Sequence, residues 1–327
     1  MAVVQVSHLK KFYRVHKKEP GLAGSVKSLF KRKYEEVKAV DDVSFSINEG
    51  ELVGFIGPNG AGKTTTLKCL SGLLYPTAGK ASVLDFDPWD KKPKFLKQIA
   101  LVVGQKNQLW WDLPPMETFL LNKEIYEIPE KRFKETLDEL IKLLEVEDIL
   151  RVQVRKLSLG QRMKCELIAG LLYSPKVLFL DEPTIGLDVV MQKKMRDFIK
   201  EYNRRYQSTI LLTSHYMSDI KELCQRVIII DKGKIVFDGQ LNEIIKKYAG
   251  HKKISVILSK KVNLQKIKAI SGVKEFEYPK LVLSVKRRQV SAIAAEVLDE
   301  LPVAYLDIGE PAIEDIIREL FTNKNYE

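Results

Sequence analysis

The sequence predicts an α/β fold with a largely parallel sheet, followed by a small α+β domain. Apolar segments of strand length alternate with segments of helical periodicity over residues 1–245, which is typical of a parallel sheet with helices on its faces. One strand, at residues 51–56, continues through a glycine-rich turn directly into a helix. Near residues 248–251 the pattern changes to short alternating strands, which marks a second domain over residues 250–327.

The first elements are two strands separated by a basic segment. Residues 1–13 form a predicted strand that ends in two aromatic residues, and a second strand is predicted at residues 40–47. The basic insert between them, residues 14–37, holds apolar residues at helical spacing: Val26, Leu29 and Phe30. It is either an amphipathic helix that contacts a membrane partner or anionic lipid, or a solvated loop.

The glycine turn leads into a predicted helix at residues 63–74, and its apolar face comprises Leu67, Leu70, Leu73 and Leu74. Further strands are predicted at residues 99–103, 177–180, 209–213 and 227–231. Residues 112–175 are mostly helical, so we expect a helical subdomain between two strands of the sheet. An amphipathic segment at residues 241–248 closes the first domain.

The second domain is predicted to contain strands at residues 253–258 and 281–285 and a final helix at residues 311–321. This helix begins with a proline, as helices often do. Its apolar residues lie at helical spacing: Ile313, Ile316, Ile317 and Leu320.

Composition and charge narrow the class of protein. The chain is 45% hydrophobic and 30% charged, which is typical of a globular protein. No apolar segment reaches the roughly 20 residues of a spanning helix, and the N-terminus does not resemble a secretory signal, so membrane action requires a separate partner. We interpret the net charge of +11 mainly as a solvated Lys-rich surface. Three cysteines without metal-ligand spacing are predicted to be buried thiols: Cys69, Cys165 and Cys224.

The glycine-rich turn carries a phosphate-binding motif. It matches G-x-x-x-x-G-K-[ST] completely, with Gly57, Pro58, Asn59, Gly60, Ala61, Gly62, Lys63 and Thr64. The glycines let backbone N–H groups approach the phosphates, and the following helix points its positive end at them. Lys63 supplies a charge to the outer phosphates, and the Thr64 hydroxyl is a ligand for Mg²⁺.

Two carboxylates follow a predicted buried strand at residues 177–180. Asp181 is placed to hold Mg²⁺, commonly through water. Glu182 lies one residue further, where it would polarise the attacking water as a general base. Together with the phosphate loop, this pair predicts nucleoside triphosphate hydrolysis.

Five motifs in a fixed order carry a resemblance to a known family. They are the loop at residues 57–64, Leu157-Ser158-Leu159-Gly160-Gln161, Asp181-Glu182-Pro183-Thr184, Gly186-Leu187-Asp188 and Thr213-Ser214-His215. Over residues 1–245 the chain resembles the ATP-hydrolysing subunits of ABC transporters. Residues 105–115 and the basic insert are similar to the prokaryotic ABC-2 exporter type. The resemblance implies a P-loop NTPase fold with a RecA-like parallel core, an antiparallel β-subdomain and an α-helical subdomain.

Within one subunit, the resemblance implies that Tyr13 stacks on adenine, with Phe12 as the alternative, and that Thr65 also binds the nucleotide. It implies that Gln105 contacts Mg²⁺ and the attacking water, and that His215 orients the γ-phosphate and the general base. The predicted catalytic residues are Lys63, Gln105, Glu182 and His215, and the predicted Mg²⁺ ligands are Thr64, Gln105 and Asp181.

The other half of the site is implied to come from a second subunit. Ser158, Gly160 and Gln161 would contact the nucleotide held by the opposite subunit, and Asp188 would cross the interface. Hydrolysis then requires a head-to-tail dimer, expected to be a homodimer, which ATP binding holds together. The chain departs from the common Leu-Ser-Gly-Gly-Gln motif at Leu159, where we expect altered local geometry with activity retained.

Features beyond Gln105 point to a membrane partner. Trp110 and Trp111 are followed by two prolines, and in the family the groove beside this loop receives a coupling helix of the membrane subunit. Aromatic anchors suit such a contact, and we expect one indole buried and one exposed. The C-terminal domain resembles the accessory domains of drug- and polysaccharide-exporter ATPases, which regulate or dimerise.

The sequence therefore predicts an ATP-hydrolysing subunit, peripheral at the cytoplasmic face of the cell membrane, that powers export through a separate polytopic membrane subunit. One alternative is a non-transport ABC ATPase that acts on nucleic acid or the ribosome, and another is an importer ATPase. Non-transport ABC ATPases carry either two ATPase cassettes or long coiled coils inserted after the phosphate loop. This chain has one phosphate loop, and the interval from Thr64 to Leu157 is too short for such an insertion. We therefore expect no specific nucleic acid partner.

Overall fold

The computed structural model describes residues 1–16, 34–104, 108–248 and 250–310, together with Ile316. The chain divides into two compact units, Met1–Gly239 and Gln240–Glu327. No helix in the described part of the chain is long and apolar enough to cross a membrane.

The larger unit contains nine described strands and seven described α-helices. In chain order the strands are β1 (Ala2–His16), β2 (Tyr34–Asn48), β3 (Leu52–Ile56), β4 (Ala78–Val83), β5 (Ile99–Val103), β6 (Val177–Asp181), β7 (Thr209–Thr213), β8 (Arg226–Asp231) and β9 (Lys234–Gln240). The helices are α1 (Lys63–Leu70), α2 (Pro93–Leu96), α3 (Pro115–Ile125), α4 (Glu130–Leu144), α5 (Leu159–Leu171), α6 (Val189–Tyr206) and α7 (Met217–Leu223).

A six-stranded sheet with the order β5-β6-β7-β3-β8-β9 forms the core of this unit. The neighbours from β5 to β8 run parallel, as predicted. Every residue of β6 and β7 is buried, because helices cover both faces of a parallel sheet. Phe55 and Phe179 of the sheet share one core cluster with Leu67 of α1, and full burial of each such side chain contributes about 1.5–3 kcal/mol.

A second, antiparallel sheet has the order β2-β1-β4. The pairing of β1 with β2 runs from Ala2↔Asn48 to His16↔Tyr34, and the two rings of the last pair lie 5.8 Å apart at their centroids. The ends of the predicted basic insert, residues 14–16 and 34–37, are therefore strand. The rest of the insert, including the three apolar residues at helical spacing, lies outside the described residues.

The predicted helix at residues 63–74 is too long, because α1 ends at Leu70. Gly72 follows with a φ of 76°, and a Cβ there would lie 2.3 Å from Pro88 O, so the chain turns where only glycine fits. Leu73 is consequently 66% exposed and does not belong to the buried face predicted for it.

The helical subdomain is present as α3, α4 and α5. In α4 the buried residues recur at helical spacing: Phe133, Leu137, Leu140 and Leu144. Cys69, Cys165 and Cys224 are free and buried, as predicted. Burial raises the pKa of Cys69 to about 11 and that of Cys165 to about 12, so both thiols stay protonated at neutral pH.

The smaller unit is an α+β domain. Its elements are α8 (Leu241–Tyr248), β10 (His251–Leu258), α9 (Leu264–Ala269), β11 (Val273–Glu277), β12 (Lys280–Lys286), α10 (Val290–Glu300) and β13 (Val303–Gly309). The sheet order β11-β12-β10-β13 is antiparallel throughout, and from β10 onward the β-α-β-β-α-β order is ferredoxin-like. The helix predicted at residues 311–321 lies outside the described residues except for Ile316, which is helical and 2% exposed.

Candidate active site

The predicted phosphate loop joins β3 to α1 at the carboxyl edge of the parallel sheet. No side chain caps α1, and the Thr66 N–H donates to Gly62 O at 2.9 Å. The N–H groups of Lys63, Thr64 and Thr65 lie before this first helical bond, so they have no hydrogen-bond acceptor within the helix. These donors and the positive end of α1 suit an anion.

Three glycines shape the loop. A Cβ on Gly57 would lie 2.2 Å from Ile230 O, and one on Gly62 would lie 2.3 Å from Ala39 O. Gly60, by contrast, has a φ of 78° and no atom within 4 Å of its Cβ position. The loop is thus held by close backbone approach at two points and is open between them, which is the form of a phosphate cradle.

Lys63 lies in this loop and is only 5% exposed. Its Nζ donates to Gly57 O at 2.7 Å and to Pro58 O at 3.0 Å. Burial lowers the pKa of Lys63, and the nearby Glu182 and Asp181 carboxylates oppose that change. Because a charged acceptor forms a stronger hydrogen bond than a carbonyl does, the ammonium is suited to a phosphate oxygen.

Asp181 ends β6 and is held by Thr213 at the end of the neighbouring strand β7. The Thr213 Oγ1 donates to Asp181 Oδ1 at 2.7 Å and accepts the Glu182 N–H at 3.0 Å. Asp181 is 5% exposed. This hydroxyl therefore orients both carboxylate residues, a role that the sequence analysis did not assign to Thr213.

Glu182 and His215 face each other across the ends of the two strands. The His215 Nε2 lies 2.5 Å from Glu182 Oε1, with the side chains 33% and 16% exposed. Glu182 has a φ of 56°, which non-glycine residues rarely adopt outside constrained sites. A carboxylate and an imidazole are thus in contact and partly open to solvent, an arrangement that would let a water reach the carboxylate.

The predicted partner-facing residues form a second group. Ser158 caps α5, with its Oγ accepting the Gln161 N–H at 3.2 Å while Gln161 Oε1 accepts the Ser158 N–H at 2.9 Å. Asp188 caps α6 by accepting the Met191 N–H at 2.8 Å. The Ser-x-x-Gln spacing of residues 158–161 is the sequence signal for this capping box.

Leu159 packs against the loop that leads to Asp188. A Cβ on Gly186 would lie 2.6 Å from Leu159 Cδ2, and Gly186 has a φ of 71°. A Cβ on Gly160 would lie 3.1 Å from Met191 Cγ. The unusual leucine in the motif is therefore accommodated by a glycine opposite it.

Tyr13 lies on β1 opposite Val37 of β2, and the same β2 strand supplies the Ala39 carbonyl beside Gly62. Its ring is 37% exposed, and the Lys11 Nζ lies 5.2 Å from the ring centroid. The accessible ring, on a strand paired with the one that reaches the loop at Ala39, is compatible with stacking on a base.

Gln105 lies outside the described residues. The preceding Gly104 donates its N–H to Asp181 O at 2.9 Å, and a Cβ there would lie 2.3 Å from Glu182 O. The start of the predicted glutamine loop therefore passes directly beside the two carboxylate residues. Gly104 is a further residue of the site that the sequence analysis missed.

The expectation that one of the two adjacent tryptophans is buried is wrong. Trp110 is 58% exposed and Trp111 is 47% exposed. Trp111 covers the Arg162 guanidinium of α5, 5.4 Å from its ring, rather than the core. Glu166, also on α5, accepts the N–H of Gln108 and Leu109, so the backbone just before the indoles is tied to this helix.

Two protein-family models and several known proteins match this chain. A family model described as ABC transporter matches residues 40–185, and a model described as EvrA-like ABC transporter, C-terminal domain, matches residues 250–308. The chain is 34% identical over 215 residues to the ABC transporter ATP-binding protein NatA of Bacillus subtilis, covering 66% of this chain and 87% of that protein.

Two other relatives have names that refer to different kinds of transport. The methionine import ATP-binding protein MetN 2 of Bacillus cereus is 33% identical over 67% of this chain and 66% of its own. The bacitracin transport ATP-binding protein BcrA of Bacillus licheniformis is 32% identical over 65% of this chain and 69% of its own.

Two solved structures share the fold. One is an ATP-binding subunit of an ABC transporter, with a TM-score of 0.62 and 24% identity over 76% of this chain and 93% of that chain. The other is a dimeric ATP-binding cassette in a post-hydrolysis state with ADP and Pi, with a TM-score of 0.61 and 23% identity over 73% of this chain and 98% of that one.

Proposed function

The chain belongs to the ATP-binding protein family of ABC transporters, and on that premise we propose that it hydrolyses MgATP as a head-to-tail dimer to power transport through a separate membrane subunit. One observation supports the proposal above all. The uncapped start of α1, with Lys63 buried in the loop, lies at the same sheet edge as the Glu182–His215 pair. That edge brings together the groups that bind a triphosphate and the groups that activate water.

The phosphate loop fits the triphosphate. The loop of residues 57–62 is open at Gly60, and Lys63 offers a largely buried ammonium beside it. Thr64 and Asp181 are the described residues proposed to hold Mg²⁺, with Gln105 as the third ligand. A single carboxylate fits this ion, because Mg²⁺ usually takes one or two carboxylates plus substrate phosphates and water. When bound, Mg²⁺ would neutralise charge on the phosphates.

Glu182 is proposed as the general base. Its Oε1 lies against His215 Nε2, so its second carboxylate oxygen is available to accept a proton from the attacking water. His215 would hold the carboxylate in place and donate toward the γ-phosphate. Lys63 would stabilise charge on the leaving phosphate oxygens.

The second half of the site is proposed to come from another copy of the chain. Ser158, Gly160 and Gln161 stand at the start of α5, whose N–H groups would contact the γ-phosphate of the opposite subunit. Asp188 lies in the neighbouring loop as the cap of α6. Val189 and Val190 follow it and are 78% and 68% exposed, which fits a surface that a second subunit covers.

The membrane subunit is proposed to dock on the surface that carries Trp110 and Trp111. We also propose that the chain acts at the cytoplasmic face of the membrane. We propose export, on the motif pattern of residues 105–115; BcrA, a relative named for bacitracin transport, is compatible with this proposal. The similarity to MetN 2, a protein named for import, keeps import as the second candidate. The direction of substrate transport, measured in membrane vesicles that contain the chain and its co-purified membrane subunit, distinguishes export from import. Failure of the chain to co-purify with any polytopic protein from native membranes would contradict both.

The catalytic proposal is tested with Glu182→Gln in the full-length chain. We expect this variant to bind ATP, to accumulate as a dimer in light scattering, and to lose about 100- to 10,000-fold in kcat because the base is removed. Glu201→Gln, a charge-neutralising change on half-buried Glu201 of α6, serves as the matched control and should turn over normally. Normal turnover by Glu182→Gln would remove Glu182 from the mechanism.

A further inference from the structure

A fully buried carboxylate, Asp219 on α7, is the centre of a hydrogen-bond network. Asp219 is 0% exposed. Its Oδ2 accepts from Thr184 Oγ1 and from Ser214 Oγ, each at 2.5 Å. Its Oδ1 accepts from Arg196 of α6 at 3.1 Å. Every one of these partners is itself buried, so water does not compete for the carboxylate.

Two of the partners belong to the loops that carry the proposed catalytic pair. Thr184 stands two residues after Glu182, and Ser214 directly precedes His215. The two loops leave neighbouring strands, β6 and β7. One carboxylate oxygen therefore connects the loop of the base with the loop of the imidazole.

The third partner, Arg196, extends the network to α6. Its Nε also lies 3.1 Å from Glu222 Oε2, so the guanidinium contacts two carboxylates of α7. The α6 helix begins directly after Asp188. Both loops are thus anchored to the helix that follows the proposed dimer interface.

We propose that Asp219 is a positioning residue for hydrolysis, one that fixes Glu182 and His215 relative to each other through Thr184 and Ser214. This inference rests on the proposed function, because it assigns catalysis to that pair. The left-handed conformation of Glu182 persists only where surrounding contacts determine it. The hydrogen bonds that Asp219 accepts from Thr184 and Ser214, one in each loop, supply such contacts.

A purely structural role makes a different prediction. If Asp219 only neutralises Arg196, its loss lowers stability and leaves the chemistry of the folded protein unchanged. If it positions the two loops, removal of the hydroxyl donors alone lowers kcat even though the buried ion pair remains. The double variant Thr184→Val/Ser214→Ala distinguishes the structural role from the positioning role, because both changes leave Asp219 and Arg196 in place.

The experiment measures kcat, KM and ATP affinity for Asp219→Asn and for the double variant Thr184→Val/Ser214→Ala. We expect kcat to fall about 10- to 100-fold in both, as for a misplacement of roughly 1 Å, with ATP affinity unchanged because the phosphate loop is not altered. Thr184→Ser keeps the hydroxyl and should retain kcat. A folded double variant with wild-type kcat overturns the proposal, whatever happens to Asp219→Asn.

Two parallel measurements complete the test. Glu222→Gln removes the second carboxylate beside Arg196, which bonds to neither loop, and we expect this variant to keep the wild-type kcat. A decrease in kcat equal to that of Asp219→Asn would contradict the positioning role. Glu182→Gln reports on the proposed function itself. Inactive Glu182→Gln with a fully active double variant refutes only the role of Asp219, whereas active Glu182→Gln refutes the assignment on which it rests.

Discussion

Replacement of Thr213 by valine tests whether one buried hydroxyl organises the catalytic edge of the sheet. Valine has nearly the same shape but cannot donate to Asp181 Oδ1, at 2.7 Å, or accept from the Glu182 N–H, at 3.0 Å. Thr213 is 0% exposed, so no water takes the place of the hydroxyl. We therefore expect Thr213→Val to destabilise the protein and to slow hydrolysis.

The magnitude follows from the two bonds. A hydrogen bond to a charged group contributes about 1.5–3 kcal/mol. The Glu182 N–H also donates to Thr213 O at 3.1 Å, so it keeps an acceptor and adds little to the loss. The expected decrease in the free energy of unfolding is thus about 1.5–3 kcal/mol. Because Asp181 and Glu182 lose their shared anchor, kcat should also fall, by about 10- to 100-fold.

Urea unfolding and steady-state ATP hydrolysis measure the two effects. Thr213→Ser is the matched control, since it keeps the hydroxyl and loses only a methyl group. It should retain most of the activity. An unfolding free energy and a kcat that both match the wild type in Thr213→Val would refute the reasoning.

Three further changes probe other parts of the site. Gly186→Ala should destabilise the chain, because its Cβ would lie 2.6 Å from Leu159 Cδ2 at a φ of 71°. In thermal unfolding, the double variant Gly186→Ala/Leu159→Gly should lack this clash but keep about 1–2 kcal/mol of backbone strain. Equal stability of the wild type, Gly186→Ala and the double variant would contradict this packing. Lys63→Met should abolish binding of a fluorescent ATP analogue while Lys68→Met on the same helix does not, and retained binding would exclude the ammonium from the site. Burial raises the pKa of Glu166 above its usual 4.5, so the folded state binds the proton more tightly than the unfolded state does. The free energy of unfolding should therefore fall as pH rises from 4.5 through the raised pKa. Glu166→Gln should remove this contribution to the pH dependence of unfolding, and an unchanged pH dependence in the variant would contradict it.

The phosphate loop, the strand-end carboxylates and the order of the motifs were predictable because they depend on residues close together in the chain. A loop that wraps phosphate needs glycine at fixed spacings and a helix directly after it. Residues 57–64 supply both, and the structure shows the strand, the turn and the helix in that order. Alternation of strand-length and helical segments indicated the parallel sheet for the same reason.

Errors arose where a contact joins distant residues. The end of α1 depends on Pro88 O lying beside Gly72, so the helical period over residues 63–74 could not reveal it. Trp111 contacts Arg162 of α5, which lies far along the sequence. Hydrophobicity alone predicted burial for one indole because it carries no information about which side chain is opposite.

The sequence by itself determined the family, the fold class and the residues that bind phosphate, since local spacing dictates which backbone groups and side chains a triphosphate meets. Only the tertiary structure decided how those residues are held. The Thr213 hydroxyl holds Asp181, and the Asp219 carboxylate meets Thr184 and Ser214, because the ends of adjacent strands converge at one edge of the sheet. A buried carboxylate requires donors, and which donors it finds depends on the packing of separate elements.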